Sequence, residues 1–328
     1  MRPRVSVVIP THARETRLAF ALEALAEQTL PAGEFEVVVV RSAGASGPFA
    51  EPPDGLRVRH EWSPENEPVP KRNAGWRAAR APLIAFADDD CRAAPDWLAA
   101  LLDVAETDPD ADVIVQGRTE PDPDERHLLF GLARTIEITE PSGLYETCNL
   151  LYPRSLLERL GGFADEFRLH SPWGEDTDLG LRAEGAGARL AYADDALVWH
   201  AVHPNPLPRA LREAGRRRRF ARLVARHPRL REKMPAGIFV NWAHAGIACA
   251  SAGALLAAVT PRRRRAVAAL GAMPYLARMV VEFVSGETPV TARSVARMAL
   301  HIPARAAVDA AETAATVRGA VEDRSLVI

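Results

Sequence analysis

Cysteine is scarce in this chain of 328 residues. The three that occur, Cys91, Cys148 and Cys249, lie far apart and form no C-x-x-C pair. Because zinc sites and disulfide frameworks need several cysteines at suitable spacing, the sequence argues against both and fits a reducing compartment. The apolar run near the amino terminus is too short for a signal peptide and leads straight into a strand pattern. We therefore expect the first domain to be cytoplasmic.

An excess of charge of either sign is also missing. The 41 basic residues are balanced by 43 acidic ones, so the net charge is -2. A chain so balanced has no general attraction to nucleic acid, and we expect no nucleic-acid partner. Arginine is nevertheless concentrated in the runs at 216–219 and 262–265. These runs indicate an anionic surface or ligand for the later part of the chain.

Short apolar runs alternate with helical patterns in the first part of the chain. The segments "VSVVIP" (5–10), "FEVVVV" (35–40) and "PLIAFA" (82–87) are typical of strands buried on both faces. Leucines recur at helical spacing between the first two. This alternation predicts an α/β domain over residues 1–205, with a mostly parallel sheet and helices on both faces. In such sheets ligands bind at the carboxyl ends of the strands.

Weaker patterns complete this domain. They predict the following elements: strands at "LRVRHE", "DVIVQG" and 148–152, a helix around "VPKRNAGWRAAR", a helix opened by Pro95, a helix ending at Gly161 and Gly162, a helix opened by Glu175 and Asp176, and two short strands ending near His200.

Alanine, arginine and leucine dominate the chain from residue 206 to 328, which predicts a helical carboxyl-terminal region. Two apolar stretches stand out there, at 237–259 and 266–284. The first is long enough to span a bilayer, which takes about 20 residues. It contains Asn241 and His244, however, and basic runs on both of its sides oppose the positive-inside rule.

The second stretch carries Pro274, Arg278 and Glu282, which are costly inside a membrane. We therefore expect helices that pack against the protein or lie in the membrane interface. The sequence leaves both arrangements open, and the second would give peripheral contact with the inner face of the cell membrane.

Three consecutive aspartates follow the strand at 82–87. Asp88, Asp89 and Asp90 repel one another, so either water screens them or a cation neutralises them. A solvated acidic turn is the simpler of these interpretations.

Five motifs occur in order between residues 4 and 203. They are "VSVVIPTHARE", "RNAGWRAARAPLIAFADDDC", "LGGFADEF", "WGEDTDLGLRAEGAGARLAY" and "VWH". Together they resemble the inverting family-two glycosyltransferases of the GT-A fold, which is Rossmann-like. The resemblance implies a nucleotide-diphosphate sugar donor and transfer of its sugar to a hydroxyl of a glycan, lipid-linked or small-molecule acceptor. The Q-x-x-R-W motif of processive synthases is absent, which favours transfer of a single sugar.

The resemblance assigns the aspartates to a metal site. Asp88 and Asp90 match the family's D-x-D motif for Mn²⁺ or Mg²⁺, with Asp90 the direct ligand and Asp88 a contact to ribose or metal-bound water. Asp89 lies between them in the donor site. His200 matches a position where many members place a histidine near the metal, although it could also be an ordinary histidine at a strand end.

The resemblance makes Asp176 the general base and gives Glu175 the task of orienting the acceptor or the loop. Acids at a helix start are also ordinary capping residues, and both interpretations can hold together. We expect the helix N-terminus to keep Asp176 ionised near neutral pH.

Donor contacts follow from the same likeness. Pro10 and Thr11 would offer backbone and hydroxyl groups, and Arg14 a cation. Arg72 and Asn73 are expected to open a helix that faces the diphosphate.

Trp173 is expected in a mobile lid over residues 168–174. Where the family commonly has an acid that recognises the nucleotide base, this chain has Arg41 and Ser42, which leaves the identity of the nucleotide base open.

Two alternative functions remain: a membrane-associated polysaccharide or lipid-linked glycan synthase component, and a nucleotide-sugar-binding protein without turnover. A nucleotidyltransferase is disfavoured because its Gly-rich phosphate loop is missing.

Overall fold

The computed structural model describes residues 2–108, 111–167, 174–260, 262, 264–286 and 292–328, without the side chains of 282–300. The chain divides into two compact units. One comprises Met1–Leu129 and Arg134–His203, and the other comprises Phe130–Ala133 and Pro204–Ile328.

An eight-stranded sheet forms the centre of the first unit. Its strands are β1 (Val5–Pro10), β2 (Phe35–Ser42), β3 (Val58–Ser63), β4 (Leu83–Ala87), β5 (Cys91–Ala93), β6 (Val113–Pro121), β7 (Asn149–Pro153) and β8 (Arg189–His200), in the order β3-β2-β1-β4-β7-β6-β8-β5. Strands β3, β2, β1 and β4 are parallel, as are β6 and β8, whereas β7 and β5 pair antiparallel with their neighbours. The predicted α/β class, with a sheet covered by helices and a helical carboxyl-terminal region, is confirmed.

The prediction of two short strands before His200 was wrong. Residues 189–200 form the single strand β8, which pairs with β6 on both sides of a register shift between Gly117 and Thr119. Its last three residues also pair with β5. Since backbone hydrogen bonds continue across the irregularity, the exposed pair Asp194 and Asp195 does not end the strand.

Helices cover the sheet and make up most of the second unit. They are α1 (Glu15–Ala26), α2 (Pro68–Ala78), α3 (Trp97–Ala105), α4 (Arg154–Leu160), α5 (Glu175–Gly185), α6 (Leu207–Ala214), α7 (Arg218–Arg226), α8 (Trp242–Val259), α9 (Arg264–Gly286) and α10 (Ala292–Glu322). Helix α2 begins at Pro68, a residue favoured in the first turn because its missing N–H needs no partner there. Arg72 and Asn73 therefore lie inside this helix and do not open it.

Two hydrophobic clusters form on opposite faces of the sheet. Val7 and Ile9 of β1 pack into one cluster with leucines of α1 and α3, and Val8 packs into the other with Trp76 of α2. Successive residues of a strand point to opposite faces, so a strand covered on both faces must be apolar throughout. This explains why the first strand is apolar except for Ser6, whose buried hydroxyl donates to Glu36.

In the second unit, backbone hydrogen bonds join Ile328 to the segment that precedes α8. The backbone N–H of Val240 donates to Ile328 O at 2.9 Å, and that of Ile328 donates to Ile238 O at 2.7 Å. Asn241 caps α8, accepting from the N–H groups of Ala243 and His244. Among the described helices, α8 alone is long and apolar enough to cross a membrane, by length and composition only.

Candidate active site

The acidic turn and the end of β8 meet at one edge of the sheet. β4 lies beside β1 and ends at Ala87, so Asp88, Asp89 and Asp90 follow directly after the end of that strand. Cys91 pairs with His200, and the N–H of Ala201 donates to Asp90 O at 2.9 Å. These backbone bonds bring the predicted metal residues Asp90 and His200 together.

Asp90 is almost fully buried beside two histidines and an arginine. His203 Nε2 lies 2.7 Å from Asp90 Oδ2, and Arg14 donates to the same oxygen. Burial alone would raise the pKa of Asp90, but the His203 hydrogen bond and the charges of His200 and Arg14 hold that pKa well below its usual range. His203 was missed from the sequence, where the signal was a second histidine three residues after His200.

His200 is oriented for a ligand. Its Nδ1 lies 2.8 Å from Ala201 O, so the ring N–H donates there and Nε2 is directed towards Asp90. Nε2 stands 3.8 Å from Asp90 Oδ1, a buried oxygen with no hydrogen-bond partner in the part of the chain that the structure describes. Two ligands at about 2.1 Å from Mg²⁺ lie about 3 Å apart when adjacent and about 4 Å apart when opposite. This spacing therefore fits a shared cation.

The Cys91 sulfur also lies near these atoms. Ligand atoms of Asp90, Cys91 and His200 all fall within 4.8 Å of one another. The hydrogen bond with Cys148, together with burial, raises the pKa of the Cys91 thiol well above its ordinary value. Because thiols bind metals as thiolates, the residues suit a hard cation held by carboxylate and imidazole groups.

Asp89 is fully buried and bound by residues of the β1 edge. The Thr11 hydroxyl donates to Asp89 Oδ2 at 2.6 Å, and Arg14 Nη2 lies 2.7 Å from Oδ1. Burial raises the pKa of Asp89 to about 6, although Arg14 opposes the shift. The Thr11 hydroxyl and the Arg14 guanidinium, predicted as donor contacts, are thus engaged by the aspartates. Pro10 is the buried last residue of β1.

Arg72 connects the two acidic clusters. Its Nη2 donates to Asp88 Oδ1 at 3.1 Å, and its Nη1 donates to Glu175 Oε1 at 3.0 Å. The side chain is 8% exposed, and its Nε is buried with no hydrogen-bond partner among the described residues. One guanidinium therefore bridges residues 88 and 175, so the two clusters lie close together.

Asp176 lies in the first turn of α5, where the preceding Gly174 adopts a left-handed conformation and no side chain caps the helix. Asp176 Oδ1 accepts from the N–H of Thr177 at 2.8 Å. Burial, followed by the charge of Glu175, raises the pKa of Asp176 well above its ordinary value, and Arg72 opposes this. Burial and the charge of Glu175 thus oppose the effect of the helix N-terminus, which was expected to favour ionised Asp176.

Asn73 has a structural task. Its amide Nδ2 donates to Phe163 O at 2.9 Å, while its Oδ1 accepts from Phe163 N and from Trp76 Nε1. These bonds hold the loop after Gly162 and differ from the predicted contact with the diphosphate. Trp173 lies outside the described residues.

Arg41, near the end of β2, is buried and forms an ion pair with Glu15. Arg41 Nη2 donates to Glu15 at 2.9 Å, Arg41 Nη1 lies 2.6 Å from His60 Nδ1, and the guanidinium stands 4.4 Å from the Phe49 ring centre. Arg41 is thus engaged by protein groups, at the position where the family commonly has its base-reading acid.

Lys71 is a further residue that sequence reasoning missed. Its Nζ donates to Thr11 O at 2.7 Å and to Asn66 Oδ1 at 2.8 Å. Burial lowers the pKa of Lys71 to about 8, with the charge of Asp89 opposing the shift. The only sequence signal was its place directly before Arg72.

The family model for Glycosyl transferase family 2 matches residues 6–161, which include all but the first residue of β1, the strands β2 to β7 and the aspartate turn. The match covers just under half of the chain, which is similar to glycosyltransferase family 2 over those residues. The chain is 27% identical to Glycosyltransferase AglE of Haloferax volcanii over 215 residues, or 62% of this chain and 68% of that protein. It is also 27% identical to Validoxylamine A glucosyltransferase of Streptomyces hygroscopicus subsp. limoneus over 267 residues, or 70% of this chain. That match spans 58% of the relative, less than two thirds of its length.

A solved structure shares the fold of this chain. The mannosyltransferase PcManGT from Pyrobaculum calidifontis, in complex with GDP-Man and Mn²⁺, aligns with a TM-score of 0.57 at 20% identity. The alignment covers 99% of this chain and 88% of that one.

Proposed function

We propose that this protein is a glycosyltransferase that moves a single sugar, with inversion, from a nucleotide-diphosphate donor to an acceptor hydroxyl, using a divalent cation and Asp176 as general base. The observation that carries the proposal is the Arg72 bridge between Asp88 and Glu175. Inversion needs a leaving group on one face of the sugar and a base on the other, so both sets of groups must line one crevice.

The residues of the aspartate turn would bind the donor and stabilise its leaving group. Asp90 and His200 would hold Mn²⁺ or Mg²⁺, with Asp88 and His203 beside them. The bound cation supplies positive charge that stabilises the departing nucleotide diphosphate. Asp88 is the most exposed of the three aspartates and is suited to a ribose hydroxyl or a metal-bound water. The buried Nε of Arg72, which has no acceptor among the residues that the structure describes, would donate to the phosphate oxygens.

The acceptor half belongs to the start of α5. The acceptor oxygen attacks the anomeric carbon as the bond from that carbon to the diphosphate oxygen breaks, and the hydroxyl proton passes to the Asp176 carboxylate. The bond electrons leave with the nucleotide diphosphate. A carboxylate with a raised pKa is a stronger base, which suits the removal of a hydroxyl proton. Glu175, fixed by Arg72, would orient the acceptor.

Several observations support the finer parts of this proposal. The similar mannosyltransferase was solved with a nucleotide sugar and Mn²⁺. The sequence lacks the Q-x-x-R-W motif of processive synthases, which favours one transfer per acceptor. Glycan, lipid-linked and small-molecule acceptors all offer the hydroxyl that this chemistry needs.

Donor binding can be tested by thermal stabilisation. A panel of nucleotide sugars is added with and without Mn²⁺, and we expect one donor to raise the melting temperature only with the metal. Asp90→Asn should remove this dependence. Asp195→Asn, an exposed substitution on β8, is the matched control and should behave like the wild type.

Transfer is tested with the donor so identified and a panel of acceptors. Asp176→Asn should bind donor as the wild type does but lose transfer by about two to four orders of magnitude. Nuclear magnetic resonance of the product should show an inverted anomeric centre. Normal turnover by Asp176→Asn contradicts the base assignment. A retained anomer contradicts inversion, and donor binding without product from any acceptor favours the non-catalytic alternative.

A further inference from the structure

Helices α8 and α9 turn their largest apolar side chains outward. Leu255, Leu256 and Val259 of α8 are 72%, 56% and 73% exposed, and Leu270 and Met273 of α9 are 66% and 59% exposed. In water, side chains of this kind are buried when the fold permits, because their exposure is unfavourable. A contiguous apolar surface on two neighbouring helices marks a surface that contacts something other than water.

The inner face of this helix pair is made of small residues. A Cβ at Gly253 would lie 2.8 Å from the Cα of Gly271, and one at Gly246 would lie 3.1 Å from the Cα of Tyr275. The two backbones therefore touch, with glycines inside and leucines outside. Helix pairs in lipid pack in this way, since lipid gives no reason to bury large side chains between helices.

The charge of this region favours an anionic partner. No acidic residue occurs in the sequence between Glu232 and Glu282, while the basic run at 262–265 follows α8 and extends into the start of α9. Arg262 and Arg265 are exposed. Arginines beside an apolar surface attract the negatively charged headgroups of a bilayer.

We propose that the α8–α9 hairpin docks the protein in the plane of a bilayer surface that contains anionic lipids. A hairpin can cross and return only if both of its arms can span, and among the described helices α8 alone meets that condition. Helix α9 contains Pro274 and Arg278. The exposed apolar side chains of α8 and α9 therefore enter the interface between headgroups and acyl chains, and Arg262 and Arg265 bind the headgroups. This docking is separate from the transfer reaction.

The test is flotation of the full chain with vesicles of phosphatidylcholine alone and of phosphatidylcholine mixed with phosphatidylglycerol. One variant combines Leu255→Glu and Leu256→Glu, and a second combines Arg262→Glu and Arg265→Glu. Leu211→Glu on α6 is the matched control, because it makes the same change at an exposed leucine outside the hairpin. Circular dichroism and thermal melting check that each variant is folded.

We expect the wild type to float with the mixed vesicles and more weakly with phosphatidylcholine alone. The leucine variant should bind both vesicles at least about tenfold less. The arginine variant should lose about fivefold per arginine with the mixed vesicles and little with phosphatidylcholine. The control should match the wild type, and high salt should release much of the bound protein.

Any of the following four results would overturn the inference. The first is that the wild type fails to float with either vesicle, and the second is that the leucine variant floats as well as the wild type. Bound protein resists both high salt and alkaline carbonate, which indicates a spanning hairpin. A dimer that the leucine variant converts to monomers, without vesicle binding, indicates that a second copy of the chain covers this face.

Discussion

The protonation of Asp176 gives a sharp test of the site. Its pKa is raised first by burial and then by the charge of Glu175, while Arg72 lowers it. Since the base acts only when ionised, kcat/KM should rise with pH through a pKa above the usual range for aspartate, which is about 3.9. Replacing Glu175 with Gln removes a negative charge and should shift this acidic limb to lower pH.

The size of the shift follows from the surroundings of Asp176. A charge within about 4–6 Å changes a carboxyl pKa by about 1–3 units. Asp176 is largely but not fully buried, so water still screens the interaction in part and the lower end applies. We expect a shift of about one unit, which corresponds to about 1.4 kcal/mol. Well below both limbs, Glu175→Gln should therefore keep about tenfold more of its base ionised.

The assay is the pH dependence of kcat/KM with a saturating metal concentration. The pH at which the limb lies is compared and not the maximum of kcat/KM, because Glu175 is also proposed to orient the acceptor. Arg72→Gln provides the opposite perturbation and should move the limb to higher pH, since it removes the charge that favours ionised Asp176. If both variants keep the wild-type limb, or both move it in the same direction, Asp176 is not the titrating base.

The same raised pKa predicts an effect on stability that needs no substrate. A carboxyl group whose pKa is higher in the folded state stabilises the fold while it is protonated, and that contribution is lost as pH rises through the folded-state pKa. Asp176→Asn cannot ionise, so its free energy of unfolding should exceed that of the wild type at high pH. Urea denaturation measures the difference, and equal stability throughout would contradict the raised pKa.

Three further substitutions probe other contacts. Burial raises the pKa of Asp89 from 3.8 to about 6. The free energy of unfolding of Asp89→Asn, relative to that of the wild type, should therefore increase by up to about 3 kcal/mol between about pH 4 and about pH 7 in the absence of metal. A difference that does not change with pH would contradict the raised pKa. His203→Ala removes the imidazole that contacts Asp90 and should weaken Mn²⁺ binding by about tenfold or more in a calorimetric titration. Unchanged affinity would leave His203 outside the metal site. Gly180→Ala places a Cβ 2.1 Å from the Tyr145 ring and should destabilise the protein by about 1–3 kcal/mol, whereas an unchanged melting temperature would show that the ring can move away.

The strands of the sheet were predictable because their signal is local. Runs of β-branched residues such as "VSVVIP" and "FEVVVV" mark strands with two covered faces, and the structure has β1 and β2 there. The three-residue strand β5 and the continuity of β8 were not predictable. They depend on pairing between β5 and β8, which join segments about a hundred residues apart.

The proximity of Asp90 and His200, the proposed metal ligands, was predictable in part. Asp90 and His200 each end or follow a strand, and strand ends of one sheet meet at one edge. The roles of Thr11 and Asn73 could not be read in this way, because both side chains bond to protein groups that lie far away in the sequence. Nothing in a local motif states whether a polar side chain faces a ligand or a neighbouring loop.

Local sequence was sufficient for the alternation of strands and helices and for the acids at the end of β4 and the start of α5, because periodicity and strand ends are properties of neighbouring residues. The bridge from Arg72 to Asp88 and Glu175 exists only in the folded chain, since Arg72 and Glu175 lie 103 residues apart. The protonation of Asp176 likewise depends on burial and on the charges of Glu175 and Arg72. The burial of Asp176 depends on how distant parts of the chain pack together, so no short stretch of sequence encodes it.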